Sequence, residues 1–350
     1  MPCRSLAASV AQVDPVSLSS WIGRDFGLDV ARVEPVGLGA DARADLARVV
    51  TVDGREHAAK TSSGPQPGLA VADLLASRGV VGVPGPLRTR DGALTAPCGP
   101  PGGGLRLSVV PWVRGHRVLD TGMAPPEWAR LGELLGRLHT TPLTEPGLAT
   151  VPREDHDPTV VVAQARAFAD ALLRADRDHP ADPAVAAVSV LWAQEGPRLL
   201  AVADRALHLS DSRRWAQVSP VLCHGDPHHG NLLVDGSGGV HLIDWDDAVV
   251  ARREADLMFV VGGVFSHATI TEEQVRWFFE GYAPVTGVTL EDLDAEVLAY
   301  LRCVRALVDV LDLAETALAA SDHALADRWE ALRYASGTLG AGGLVELALS

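Results

Sequence analysis

His224-Gly225-Asp226-Pro227-His228-His229-Gly230-Asn231-Leu232-Leu233-Val234-Asp235, continued by Gly236-Ser237-Gly238-Gly239-Val240-His241-Leu242-Ile243-Asp244-Trp245-Asp246, is the stretch that decides the fold. Residues 236–239 have the composition of a turn, and both flanks are strand-like. Folding the chain about the middle of that turn sets Asn231 opposite Asp244. Two oxygen donors then meet at the open end of a hairpin. Such a pair suits Mg²⁺, a hard ion that takes one or two protein oxygens and completes its shell with water and phosphate. Asp226 precedes Asn231 by five residues, on a turn with Gly225 and Pro227, where a carboxylate can accept a hydroxyl proton. His224 reads as a residue that orients this turn. His228 and His229 lack the HExxH spacing of a metal hydrolase.

Outward from this hairpin, the elements fall into two groups. Residues 15–29 have helical spacing, and short strands follow from about Val33. Strand-like runs at 46–52 and 56–60 flank Asp53-Gly54, a hairpin signal. Gly37-Leu38-Gly39-Ala40-Asp41 has the composition of a tight loop, 69–78 reads as a short helix, 91–104 as a loop, and 105–113 as a strand interrupted by Pro111. Beyond Gly115 the period becomes helical. Trp128, Leu131, Leu134, Leu135 and Leu138 form one apolar stripe. Further helices are expected near 159–178, 184–194, 198–209, 255–263, 272–281, 290–319 and 322–335. Trp192, Trp277 and Trp329 fall on apolar helical faces and are expected in the core. A strand-rich part followed by a helix-rich part predicts an α+β architecture of two lobes, residues 1–113 and 114–350.

Composition narrows the function. The chain has 350 residues, 47% hydrophobic and 5% aromatic, with a net charge of −15. Few aromatic residues and an acidic balance oppose binding to nucleic acid or to an anionic membrane surface. Residues 1–150 carry a net +1 and residues 151–350 a net −16, which points to a cationic small-molecule ligand in the second lobe. Of 30 basic residues, 29 are Arg, and Lys60 is the single lysine. A site that needs a compact ammonium would resist replacement by Arg. Four scattered Cys imply neither a zinc site nor a disulfide framework, and no stretch reaches the length of a membrane span. A cytoplasmic chain without an obligate protein partner is expected.

Asp226, Asn231 and Asp244 stand in the order in which kinases place a base, a second metal ligand and a metal carboxylate. With His-Gly-Asp and Ile-Asp-Trp-Asp around them, the residues resemble the aminoglycoside phosphotransferase family, which shares its fold with protein kinases and choline kinases. Leu131-Gly132-Glu133-Leu134-Leu135-Gly136-Arg137-Leu138-His139 resembles the family's first large-lobe helix. Asp246-Asp247 and Glu254-Ala255-Asp256-Leu257-Met258-Phe259 are similar to its spectinomycin phosphotransferase branch. The resemblance implies a kinase-like fold with ATP or GTP and Mg²⁺ in the cleft, Asp226 as catalytic base, and Asn231 and Asp244 as metal ligands. It implies that Lys60 holds the nucleotide phosphates, that the loop with Gly37 and Gly39 covers them, and that the linker from Val109 to Val113, with Val110 and Val113, meets the adenine edge. Asp246 and Asp247 become candidates for the acceptor pocket, and Glu272, Glu273 and Glu280 for further carboxylates on a cationic acceptor. Asp256 reads as the cap of its own helix.

Two departures stand out. No Glu lies between Glu56 and Glu127, so the lysine's usual acidic partner is missing and Asp73 is the nearest carboxylate on the short helix. His-Gly-Asp and Asp-Trp-Asp replace the protein-kinase signatures and favour a small-molecule acceptor. The expected activity is phosphorylation of a hydroxyl on an aminoglycoside or aminocyclitol. A metabolic kinase acting on a sugar, amino alcohol or amino acid is the nearest rival. A nucleotide-binding module without turnover is the rival of a different class.

Overall fold

The computed structural model describes residues 13–36, 44–100, 104–179, 181–211, 218–319 and 325–350. Helix α1 (Pro15–Phe26) starts where the Asp14 side chain accepts from the amides of Val16 and Ser17, and it ends at Gly27 in the left-handed region. It buries Leu18, Ile22 and Phe26. These pack with Ala47, Val49, Ala59, Leu107 and Val109 of an antiparallel sheet. Its strands are β1 (Val30–Pro35), β2 (Ala44–Thr51), β3 (Glu56–Ser63), β4 (Ala96–Pro97) and β5 (Leu105–Pro111), in the order β1-β2-β3-β5-β4. The Asp53-Gly54 turn forms as expected, with Gly54 at φ 81° and the Asp53 carboxylate bound to Thr51 and Arg55. Helix α2 (Gly68–Ser77) follows β3. Gly37 and Gly39 lie outside the described residues.

The second part is helical around a few short strands. In chain order it contains β6 (Gly115–Arg117), α3 (Val118–Thr121), α4 (Pro125–His139), α5 (Thr159–Asp178), α6 (Pro183–Ser210), β7 (Val221–Cys223), β8 (Leu232–Asp235), β9 (Val240–Leu242) and β10 (Val249–Ala251). Then come α7 (Glu254–Leu257), α8 (Glu272–Thr286), α9 (Ala295–Leu318), α10 (Leu325–Leu339) and α11 (Leu344–Leu349). The predicted stripe of α4 is buried from Trp128 to Leu138. Opposite it, α8 approaches so closely that a Cβ on Gly281 would sit 1.8 Å from the Ala129 carbonyl oxygen, and one on Gly132 2.1 Å from that of Phe278. Glycine is what lets these two backbones meet.

Three expectations are corrected. The predicted break between 194 and 198 does not occur: α6 runs through Pro197 as one helix. Its flanks bury Val188, Leu199, Val202 and Ala203 against α5 and α9, and that burial outweighs the roughly 3 kcal/mol an internal proline costs. Trp192 and Trp277 pack against the cores, but Trp329 is 44% exposed.

The third correction is the hairpin register. Strands β8 and β9 pair Leu232 with Leu242 and Val234 with Val240, which sets Asn231 opposite Ile243 rather than Asp244. The Ile243 amide donates to the Asn231 carbonyl at 3.0 Å. The cause is the turn. The Asp235 amide bonds to the Gly239 carbonyl, which closes a three-residue loop with Gly238 at φ 77°. The Asp235 carboxylate accepts from the Ser237 and Gly239 amides, the Ser237 hydroxyl and His241 Nε2. Asp244 therefore falls one residue past the pairing, at φ 60° and ψ 73°. Among the described residues it is the only non-glycine with positive φ. A left-handed non-glycine costs on the order of 1–3 kcal/mol, and such strain gathers at functional sites.

Candidate active site

The loop 224–226 leaves β7, which pairs with β10, and is fixed from below by α7. The Asp256 carboxylate, fully buried, accepts from the His224 amide at 2.8 Å and the Gly225 amide at 2.7 Å. His139, the last residue of α4, bonds through Nε2 to Asp256 at 3.0 Å and through Nδ1 to the Tyr282 hydroxyl at 2.7 Å. A carboxylate only accepts, so His139 Nε2–H donates to Asp256. Asp256 thus caps the loop across the molecule and does not cap its own helix, whose N-cap is Arg253. His139, Cys223 and Asp256 converge as a metal site would. Burial pushes the Cys223 thiol well above its ordinary pKa, however, and the hydrogen bonds account for the other two.

His224 joins the loop to the hairpin. Its Nδ1 accepts from the Asp226 amide at 3.2 Å, and its Nε2–H donates to the Ile243 carbonyl at 3.1 Å. The expected structural role is the one observed. Gly225 sits at φ 85°, and a Cβ there would lie 2.1 Å from the Asp247 carbonyl oxygen. That close approach explains why no arginine stands between this His and Asp.

Asp226 Oδ1 accepts from Arg305 Nη2 at 2.7 Å, while Oδ2 lies 3.2 Å from Asn231 Nδ2 and 3.5 Å from His228 Nε2. Asn231 Nδ2 also donates to the Asp226 carbonyl at 2.9 Å. With its nitrogen so engaged, the amide presents its oxygen elsewhere. Across the cleft, Lys60 Nζ on β3 lies 2.9 Å from both Asp244 Oδ1 and Asp246 Oδ2. Burial pulls the ammonium toward neutrality, but the two carboxylates more than offset it and raise its pKa. For Asp244 burial works upward, and Lys60 prevails to hold it below the usual carboxylate range.

Asp73 does not serve Lys60: it is bound to Arg88 at 2.5 Å. Helix α2 instead reaches the 244–247 segment with its backbone. A Cβ on Gly68 would lie 1.6 Å from the Trp245 carbonyl oxygen. Trp245 is buried, its Nε1–H donating to Leu242 and its ring edge-on to His224 at 4.7 Å. The first lobe thus rests on the same residues that present Asp244.

In the linker, the Trp112 amide donates to the Glu56 carbonyl at 3.0 Å. Alternate pairs of an antiparallel ladder share bonds, so Val110, opposite Ala58, also turns its backbone to β3. Pro111, opposite His57 in the alternate pair, turns its carbonyl away from β3, and Val113 lies beyond the end of β5. The further acidic candidates are spread out. Asp246 is bound to Lys60, Asp247 contributes to the field at Arg305, and Glu272, Glu273 and Glu280 lie on α8, with Glu273 bound to Arg276. Arg305, Asp309 and the roles of His139 and Asp256 escaped sequence reading. The signal for the first two was a charged pair one turn apart in the otherwise apolar stretch 303–311 of α9.

These features define a two-lobed, kinase-like fold, and the comparisons with known proteins agree. The sequence profile described as the phosphotransferase enzyme family matches residues 48–296, more than half of the chain, and the protein belongs to that family. It is a phosphotransferase. A search of curated protein sequences gave no match. Among solved structures, spectinomycin phosphotransferase APH(9)-Ia in complex with ADP and spectinomycin has 22% identity and a TM-score of 0.82, over 97% of this chain and 99% of that one. The AMP-bound form of that enzyme gives 20% identity and 0.78, with the same coverage. The GDP and kanamycin complex of APH(2")-IIIa gives 15% identity and 0.53, over 91% of this chain and 97% of that one. The match to the first shows a shared fold along nearly the whole chain.

Proposed function

We propose that this phosphotransferase moves the γ-phosphoryl group of ATP or GTP to a hydroxyl of an aminoglycoside or aminocyclitol. The observation that carries the reading is the convergence of Lys60, Asp244 and Asp246 across the cleft, beside the Asp226–Asn231 pair. Lys60 would bind the nucleotide phosphates, as a buried ammonium that stays charged in the field of two carboxylates. Val113 and the Pro111 carbonyl, turned away from β3, are suited to the adenine edge; Val110 would contribute its side chain only.

The donor set fits Mg²⁺: the Asn231 amide oxygen and the Asp244 carboxylate are the hard oxygens that ion takes. When bound, the ion would neutralise charge on the transferring phosphates. The protein's own part is positional. Asp226 Oδ2 would accept a hydrogen bond from the acceptor hydroxyl and later its proton, as that oxygen bonds to the γ-phosphorus and the bond from phosphorus to the leaving nucleoside diphosphate breaks. In a loose transition state little basicity is needed, and orientation does most of the work.

The acidic second lobe supports a cationic acceptor, and the fold shared with a spectinomycin phosphotransferase is consistent with one. One observation favours a metabolic acceptor instead: Asp246, expected in the acceptor pocket, is engaged by Lys60. Nucleotide consumption across a panel of aminoglycosides, spectinomycin, sugars and amino alcohols decides. Turnover restricted to amine-bearing antibiotics supports the proposal. A preference for a neutral sugar supports the metabolic kinase, and nucleotide binding without turnover on any acceptor supports the binding module.

A further inference from the structure

Helix α9 buries Val297, Leu301, Leu307, Val310 and Leu311, yet carries Arg305 and Asp309 one turn apart, with side chains only 11% and 14% exposed. Taking two charges out of water is costly, so such a pair persists where each charge is well held. Arg305 makes two hydrogen bonds and an ion pair. Nη2 donates to Asp226 Oδ1 at 2.7 Å, Nη1 to the Gly225 carbonyl at 3.2 Å, and Nε lies 2.6 Å from Asp309 Oδ1. The guanidinium also lies over the Phe259 ring, 5.0 Å from its centroid. Burial disfavours its charge, but Asp226 and Asp309 more than compensate, so it remains a cation.

The two oxygens of Asp226 are therefore unequal. Oδ1 is taken by a short, charge-assisted bond, whereas Oδ2 has only the longer approaches of Asn231 at 3.2 Å and His228 at 3.5 Å. We propose that Arg305 is a positioning residue for phosphoryl transfer: it pins Oδ1 of Asp226 so that Oδ2 alone meets the acceptor hydroxyl, and Asp309 fixes the guanidinium fork from behind. This rests on the reading of Asp226 as the residue that receives the hydroxyl proton. A planar fork can reach Asp226, the Gly225 carbonyl and Asp309 together; the ammonium of a lysine cannot match that geometry.

The test uses the full chain with Mg-ATP and spectinomycin. Arg305→Lys keeps the charge and loses the fork. The double variant Arg305→Met with Asp309→Leu removes both charges, leaving neither buried alone. In both, kcat is expected to fall 10- to 100-fold, with the acceptor KM and the Kd for Mg-ATP within about threefold of the parent and a melting midpoint within a few degrees. Asp309→Asn should show a smaller loss, roughly three- to tenfold. A kcat within threefold of the parent in either folded variant overturns the proposal. So does a loss of kcat matched by an equal loss of nucleotide affinity or of folded fraction, which marks Arg305 as merely structural. If the double variant does not fold, Arg305→Lys decides alone. A parent inactive on spectinomycin counts against the acceptor reading and not against this one. The variants are then compared in hydrolysis of Mg-ATP to ADP and phosphate, where water occupies the acceptor position and the same fall in rate is expected.

Discussion

Lys60, the only lysine in the chain, is held by two carboxylates of one loop, Asp244 and Asp246, where a kinase of the usual pattern uses a glutamate from the small-lobe helix. Were Asp244 to turn to a metal ion, as proposed, Asp246 would remain as a partner for the ammonium. Lys60→Ala is expected to weaken Mg-nucleotide binding at least tenfold by calorimetric titration, and Asp244→Ala to abolish metal-dependent turnover; unchanged behaviour in both would remove the assignment. A second residue-scale expectation concerns pH. Burial raises Glu154 from the ordinary range to about 7, although the Arg252 amide donates to its carboxylate. The folded state then holds a proton that the unfolded state has released, so stability falls as pH rises from about 4.5 to 7. The full effect is up to about 3 kcal/mol. Melting midpoints from pH 5 to 7.5 should fall in the parent and be flatter in Glu154→Gln; equal slopes would contradict this. Residue by residue, the sequence was legible where a chemical group stands alone. Lys60 and Asn231 are the only lysine and the only asparagine in the chain, and Asp226 and Asp244 stand at the two ends of a glycine-marked hairpin. Asp256 and His139 could not be read that way, because their partners are amides and side chains more than 30 residues away.

Among the elements, the hairpin β8–β9 shows where sequence reading falls short. Composition located the turn, but the register followed from Asp235, which gathers four donors and closes the loop at three residues instead of four. One residue of slip moved Asp244 off the ladder and into a left-handed conformation, which no composition rule anticipates. Helix α6 crosses Pro197 for a comparable reason: tertiary burial, invisible to local propensity, outweighs a local penalty. The crossing of α4 and α8 was equally hidden, although one of its glycines, Gly132, stood in plain view within the quoted 131–139 segment. Gly281→Ala would press a methyl group into the Ala129 backbone, which cannot give way as a flexible side chain could. We expect a loss of about 1–3 kcal/mol in urea unfolding. An unchanged midpoint would mean that the helices can separate without cost.

At the scale of the molecule, two lobes meet where α2 touches Trp245, where Lys60 touches Asp244 and Asp246, and where the linker at Pro111–Val113 passes between them. The strand-then-helix order made that architecture readable, because the switch from hairpin signals to a 3.6-residue period survives any uncertainty in element ends. The charge imbalance was also readable, but its purpose is a separate matter, since Asp246 and Glu273 already have basic partners. If the second lobe attracts a cationic acceptor, KM should rise as salt increases from 50 to 300 mM, because exposed attractions are screened over about 10 Å at 0.1 M. A salt-independent KM would assign the imbalance to solubility. The central claim is a division of labour, with Lys60, Asn231 and Asp244 serving the nucleotide and Asp226 serving the acceptor. Its most direct test is Asp226→Asn, assayed for turnover and for Mg-nucleotide affinity on the same preparation. The account predicts a loss of turnover of at least about 10²-fold with affinity nearly unchanged. Full turnover in Asp226→Asn would contradict it.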